Sequence, residues 1–182
     1  AGAVGVALQN VGFGFALFKP VSGGGASYYA LKATGSAALV GVPGLTLSAS
    51  GILVEVNRAS DGSAAVDFDR LLPARKLTVA TGPATSIDLA FTEETLRVSG
   101  AVLLDISGFV HVSGGFAFER VAGQSVELTD STPLVVDILK IGASDAGVTV
   151  GPAGFGVALS NVNLTLDRLK PTEASTARYY AH

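Results

Sequence analysis

The acidic side chains are the clearest candidates for a binding or catalytic role in this 182-residue chain. Asp67 and Asp69 are two positions apart, so both carboxylates lie on one face if the segment is a strand, and Asp61 precedes them in a loop with glycine and serine. Calcium binds such oxygens but needs about six to eight of them from converging loops. The three aspartates are therefore weak calcium candidates, and we favour solvated carboxylates that discourage edge-to-edge strand pairing.

The same acids do not form a recognisable catalytic group. Two carboxylates two residues apart on a strand are separated by about 7 Å, a spacing that a glycosidase can use but that also arises by chance. Asp88 and Asp105 are single acids within apolar segments, and no nucleophile or oxyanion-stabilising group is near them in the sequence. We predict that the chain is not an enzyme.

Residues for metal and nucleotide sites are also scarce. The chain has no cysteine and two histidines, His111 and His182, which excludes a thiolate zinc site and leaves no recurring histidine spacing. Its glycine clusters lack the strand-to-helix context and the Lys-Ser/Thr pair of a phosphate-binding loop. We predict no cofactor, with calcium as the remaining candidate.

Composition limits the partners. The net charge of −3 gives no electrostatic footprint for nucleic acid. No apolar run approaches the ~18 residues of a membrane helix, so we predict no membrane insertion. With 48% apolar and 15% charged residues and a mean hydropathy of +0.50, the composition favours sheets covered on both faces or a protomer that buries more surface on assembly.

The acidic residues must be positioned by the strands of the chain, whose alternating pattern is interrupted by glycines. In Gly44–Val56 (GLTLSASGILVEV) the alternating apolar set is at odd positions before Gly51, and it changes to even positions after it, at Ile52, Val54 and Val56. A one-residue slip at a glycine is typical of a β-bulge or a sharp strand corner, because the extra residue returns the same set of side chains to one face. Similar segments at Gly108–Arg120 and Gly154–Leu166 predict structural bends at Gly115 and Asn161.

The chain also repeats over a longer distance. Gly5–Asn10 (GVALQN) returns as Gly156–Asn161 (GVALSN), an offset of 151 residues, and without a gap the same offset matches Tyr28–Ala30 with Tyr179–Ala181. Residues 1–153 are therefore predicted to be one full repeat unit of about 151 residues with three strand-bend-strand sub-units, and residues 154–182 to begin the next unit.

Two glutamates occupy equivalent places just after the bends. Glu55 and Glu119 are predicted to pair across strands with a basic neighbour such as Lys32 or Arg97, which lie in the matching segments LKATG and LRVSG.

Several of these segments, taken together, point to a family. The chain resembles the long tandem β-repeats of giant bacterial surface and secreted proteins, often described as adhesin-like, in the segments Tyr29–Gly35, Gly44–Ser48, Ser113–Phe116, Lys140–Ser144 and Val157–Asn161. The resemblance implies an all-β, elongated, extracellular repeat with a scaffold role. It transfers no catalytic or binding residue.

We therefore predict an all-β protein built as an elongated, curved, solenoid-like β-sheet repeat, with a β-sandwich as the alternative. The predicted function is that of a structural module in a long extracellular or cell-surface fibre, stalk or adhesin, with adjacent copies of the same repeat or chain as partners. The alternative is a surface module that binds glycans or calcium, where Tyr28–Tyr29 and Tyr179–Tyr180 could stack on sugar rings.

Overall fold

A computed structural model describes residues 4–21, 23–71, 73–152 and 155–172, and the backbone of 179–181. These residues form ten strands and one short 3₁₀ helix, and the described part of the chain has no α-helix, which confirms the all-β fold class. The strands are β1 (Gly5–Phe18), β2 (Tyr28–Val40), β3 (Leu45–Ala59), β4 (Leu77–Ala80), β5 (Ser86–Leu89), β6 (Thr95–Ile106), β7 (Val110–Glu127), β8 (Pro133–Val150), β9 (Val157–Pro171) and β10 (Tyr179–Ala181).

Eight of the strands form one antiparallel sheet in the order β1-β2-β3-β6-β7-β8-β9-β10. Each neighbour follows the previous strand in the chain except β6, which is separated from β3 by residues 60–94. Short connections make consecutive strands antiparallel neighbours, because a parallel neighbour needs a long crossover. The inserted segment contributes the second sheet, an antiparallel hairpin of β4 and β5.

The two faces of the large sheet differ in chemistry. One row crosses seven strands through residues that face each other in register, and every member is apolar: Phe13, Ala33, Val54, Val98, Phe118, Ile141 and Leu166. We call the side that carries this row the apolar face. The opposite side, which we call the polar face, carries the next residue of each strand, since successive side chains point to opposite sides.

The inserted segment covers the β1–β2 end of the polar face. Phe68 of the 3₁₀ helix (Phe68–Arg70) is fully buried between Phe18 and Phe91, with both ring pairs 5.9 Å apart and nearly perpendicular. Asn57 is also fully buried, and its side-chain amide donates to the carbonyls of Val66 and Glu93 at 2.8 Å each. Asn57 therefore ties both ends of the insertion to β3.

Three local predictions are wrong. Asp67 and Asp69 do not share a strand face, because Asp67 caps the 3₁₀ helix. The turn-type residues of the stretches 121–133 and 142–153 predict connecting loops from the sequence alone. In the structure, residues 121–127 lie in β7 and residues 142–150 lie in β8. Both strands contain their turn-type residues as irregularities. Gly123 has a positive φ beside a register shift of the β7–β8 pair, and Asp145 has a positive φ beside a register shift of the β8–β9 pair.

Candidate functional site

A row of alternating charge crosses the polar face. Five neighbouring strands each contribute one residue, and the five face each other in register: Lys32, Glu55, Arg97, Glu119 and Lys140. We call this set the charged row. Each member is adjacent in sequence to a member of the apolar row, alternately just before it and just after it because the strands are antiparallel. Successive side chains point to opposite sides of a strand, so one set lies on the apolar face and the other on the polar face.

Arg97 is the centre of the charged row. Its Nη1 lies 3.3 Å from the Glu55 carboxylate, its Nε donates to Glu119 at 3.1 Å, and its Nη2 donates to the same Glu119 oxygen. Lys32 Nζ lies 3.3 Å from Glu55, and Lys140 Nζ lies 3.4 Å from Glu119. The predicted pairing of Glu55 and Glu119 with Lys32 and Arg97 is confirmed, and Lys140 extends the row.

The electrostatics of the row favour the charged forms of Arg97 and Glu119. The hydrogen bond from Arg97 lowers the pKa of Glu119, and that bond together with nearby carboxylates raises the pKa of Arg97. A general acid at neutral pH needs a carboxyl whose pKa is raised. Glu119 has the opposite shift and does not meet this requirement. Its ion pairs with Arg97 and Lys140 join β7 to the strands on both sides.

The calcium candidates are engaged in local turns. The Asp61 carboxylate accepts from the backbone N–H of Ser63 at 3.0 Å, which lowers the pKa of Asp61. The Asp67 carboxylate accepts from the backbone N–H of Asp69 at 3.0 Å and from Arg70 Nε at 3.1 Å. In the described part of the chain, no three His, Asp or Glu side chains are grouped to hold a metal ion.

Asp88 and Asp105 are not brought together either. Asp88 lies in β5 of the small sheet, where Lys76 Nζ and Thr78 Oγ1 bond it at 2.5 and 2.6 Å, and the bond from Lys76 lowers the pKa of Asp88. Asp105 lies in β6 of the large sheet and accepts from the backbone N–H of Gly108 at 2.9 Å. His111 Nδ1 is 3.7 Å from Asp105. These acids do not form a general acid and base pair.

Tyr28 and Tyr29, two of the four sugar-stacking candidates, do not form one platform. Tyr28 and Tyr29 are both half-buried at the start of β2, and as successive strand residues they point to opposite faces. The side chains of Tyr179 and Tyr180 lie outside the described residues, as does His182.

The bends occur where each strand shifts register. Gly51 has φ 57° within the shift of the β3–β6 pair, and Asn161 has φ 55° in β9. At the third bend, Gly115 stays paired with Ala101 and Ser144, while the shifted residue is Gly114, at φ 153°. A Cβ on Gly114 would lie 2.9 Å from the Cα of Ala146, so the bend tolerates only glycine there.

A shallow groove of about 630 Å³ follows the bends across five strands, β3 and β6 to β9. Its lining has no charged or titratable side chain and consists mainly of small residues, such as Ser50, Ser99, Gly115 and Ser144. A groove with this lining offers shape and hydroxyl groups but no acid or base.

The apolar face leaves many hydrophobic side chains exposed on either side of its apolar row. On β1, Leu8, Phe13 and Phe15 are 67, 61 and 50% exposed, and on β7 Phe118 is 46% exposed. Large contiguous patches of exposed apolar residues are typical of interaction surfaces. The sequence showed the alternation along each strand, but only the in-register pairing shows that the apolar residues share one face, which gives way at one end to charged residues such as Arg120.

The first and last strand pairs of the sheet have the same register. In the β1–β2 pair, Phe18 faces Tyr28 and Leu17 faces Tyr29. In the β9–β10 pair, Leu169 faces Tyr179 and Arg168 faces Tyr180, each position 151 residues later. The left-handed residue is matched too, since Asn10 has φ 51° and Asn161, 151 residues later, has φ 55°.

Comparison of the chain with protein-family models, with curated proteins and with solved structures finds no match. None of the described residues belongs to a helix that is long and apolar enough to cross a membrane.

Proposed function

We propose that the chain is a structural repeat module of a long extracellular bacterial fibre, stalk or adhesin, which acts through self-association and reach rather than catalysis. The observation that carries the proposal is the shared register of the β1–β2 and β9–β10 pairs at an offset of 151 residues. If β9 is the first strand of a new unit, one continuous sheet extends from each unit into the next.

This arrangement gives the elongated, curved, solenoid-like sheet of the proposal. Each unit contributes six strands to the large sheet, from β1 to β8 without the β4–β5 hairpin. Strands in a sheet are spaced about 4.8 Å apart, so one unit extends a flat sheet by about 29 Å. Stability in such an array is shared between neighbouring units.

The charged row supports a mechanical role. It runs across the strands, which is the direction in which the sheet would grow, and its ion pairs join β2, β3, β6, β7 and β8 side chain to side chain. A load along this direction acts on the backbone hydrogen bonds between strands, and the row adds a second connection at each of these interfaces.

The apolar face supports self-association. Seven strands spaced about 4.8 Å apart, with about 11 facing residues of 3.3 Å each, give a face on the order of 1,200 Å² per copy. Two such faces would bury a total within the range of permanent protein interfaces, roughly 2,000–5,000 Å². The partner is therefore an adjacent copy of the same repeat or chain.

The bacterial and extracellular assignment comes from the resemblance to adhesin-like repeats in segments such as Tyr29–Gly35 and Gly44–Ser48. The lack of cysteine in 182 residues means that this chain adds no disulfide to such a fibre. Packing and strand pairing are left to hold it together.

Sedimentation across a concentration series tests the self-association. Phe13→Ser and Phe118→Ser remove exposed rings from the apolar face and should each weaken association about tenfold or more, because burying one Phe side chain is worth about 1.5–3 kcal/mol. Phe109→Ser is the matched control, since Phe109 is 51% exposed but lies in the β6–β7 turn. A chain that stays monomeric throughout, or a control that weakens association equally, would contradict the proposal.

A further inference from the structure

The outer edge of β1 is a long strand edge that no described strand covers. β1 is the first strand in the sheet order, and β2 pairs with its inner edge from Gly5 to Phe18. An edge of this length offers a row of backbone donors and acceptors and is a ready template for another strand.

The chain contains a counterpart of β1 whose second edge is occupied. β9 begins with the same motif, has its left-handed asparagine at the matching position and pairs with β10 in the register in which β1 pairs with β2. On its other edge β9 pairs with β8. The β8–β9 pair therefore indicates that a strand like β8 fits the outer edge of β1.

We propose that the outer edge of β1 is the docking site for the β8 strand of a preceding repeat unit, a second copy of this sequence, and that the pairing is antiparallel in the register of β8 with β9. This inference deepens the proposed function and rests on it. Transferring the β8–β9 register by 151 residues places Val148 of the preceding unit opposite Leu8, Ala143 opposite Phe13 and Ile141 opposite Phe15.

The transferred register keeps side chains of one kind together. Val148 and Ile141 meet Leu8 and Phe15, all four on the apolar face, while Gly142 meets Gly14 on the polar face. A slip of one residue would place the apolar residues of β8 beside the small residues of β1, because the side-chain period of a strand is two. The register is thus specified by the burial pattern as well as by the repeat.

A cysteine pair reports this register directly, since the chain has no cysteine of its own. The probe is a synthetic peptide of β8, residues 133–150, that carries Val148→Cys, and it is added under mild oxidation to the full chain that carries Leu8→Cys. Directly facing residues in an antiparallel pair have Cα atoms about 4.5–5.5 Å apart, which a disulfide can span. We expect the peptide to form a disulfide with the chain.

Two further pairs fix the register. A Val150→Cys peptide should react with Val6→Cys, because Val150 faces the counterpart of Val6 in the β8–β9 pair. The Val148→Cys peptide should react far less with Ala7→Cys, whose thiol points to the opposite face. A peptide of the same composition in scrambled order, with its cysteine kept at the same place, should react with none of the three chains above background.

Equal reaction at positions 6, 7 and 8, or no disulfide in either the peptide experiment or the two-unit protein, would overturn the inference. To guard against failure of the free peptide, the same cysteines are placed in a protein with two successive units, at Val148 of the first and Leu8 of the second. If that protein forms no disulfide but still lengthens with each unit, only the edge pairing is wrong. If the disulfide forms in a protein that stays compact, the pairing stands and the fibre role fails.

Discussion

Replacing Gly51 tests whether the bend in β3 depends on backbone conformation. Gly51 has φ 57°, in the left-handed region, and a Cβ added there would have no other heavy atom within 4 Å. A larger residue therefore meets no clash, and its whole cost is conformational. That cost is about 1–2 kcal/mol for an ordinary L-residue and up to about 3 kcal/mol at a strained site, with β-branched residues the least tolerated.

The chain supplies its own control for this substitution. Asn10 and Asn161 occupy bends of the same kind, at φ 51° and 55°. Gly51→Asn should therefore change the free energy of unfolding by less than about 1 kcal/mol, whereas Gly51→Val should lower it by about 2–3 kcal/mol. With a urea m-value of roughly 2 kcal/mol/M, Gly51→Val lowers the unfolding midpoint by about 1 M or more.

The assay is urea unfolding of the parent chain and both variants, followed by circular dichroism at one protein concentration below the association range. If Gly51→Val unfolds at the same midpoint as the parent, the left-handed bend at Gly51 is wrong. If Gly51→Asn is as unstable as Gly51→Val, the positive φ is not the cause of the effect.

Three further predictions concern the charged and buried polar side chains of the large sheet. Arg97→Met leaves Glu55 and Glu119 without their shared donor and should cost about 1–2 kcal/mol, whereas Lys140→Met removes one exposed pair and should cost about 0–1 kcal/mol, both read from urea midpoints. Arg97 and Arg120 lower the pKa values of Glu119 and Asp137 in the folded chain. The stability from these pairs should therefore be complete above the ordinary carboxyl pKa range and lost as pH falls below it. A urea midpoint that is constant or rises from pH 5 to pH 3 would refute this. Asn57→Leu removes two buried hydrogen bonds, should cost about 1–3 kcal/mol and should speed hydrogen exchange in residues 60–94 more than in β7 and β8.

The strands and their bends were largely accessible from the sequence. The change from odd to even apolar positions at Gly51 marks the place where the β3–β6 register shifts, and Asn161 marks a left-handed residue in β9. Such shifts can be read locally because the side-chain period of a strand is two. The pairing partners of Glu55 and Glu119 were accessible as well, because the matching segments LKATG and LRVSG each carry a cation at the same position. These segments lie in β2 and β6, the two strands on either side of β3.

The insertion and the apolar face were not accessible in the same way. Residues 60–94 have no periodic pattern that predicts a 3₁₀ helix, and the cap formed by Asp67 depends on a backbone turn rather than on alternation. The turn-type residues of β7 and β8 predicted loops. This prediction is wrong because cross-strand pairing over 18 residues outweighs the local preference of those residues. The apolar face appears only when the register of all seven strands is known, since sequence alternation does not say which neighbour each strand has.

X-ray scattering from proteins with one, two and three successive units tests the central claim most directly. If the sheet continues from unit to unit, the particle should extend by about 29 Å in the direction across the strands with each added unit, while its cross-section stays constant. The account is contradicted if the particle widens as units are added and its length grows by much less than this amount, as expected for units that fold back on one another.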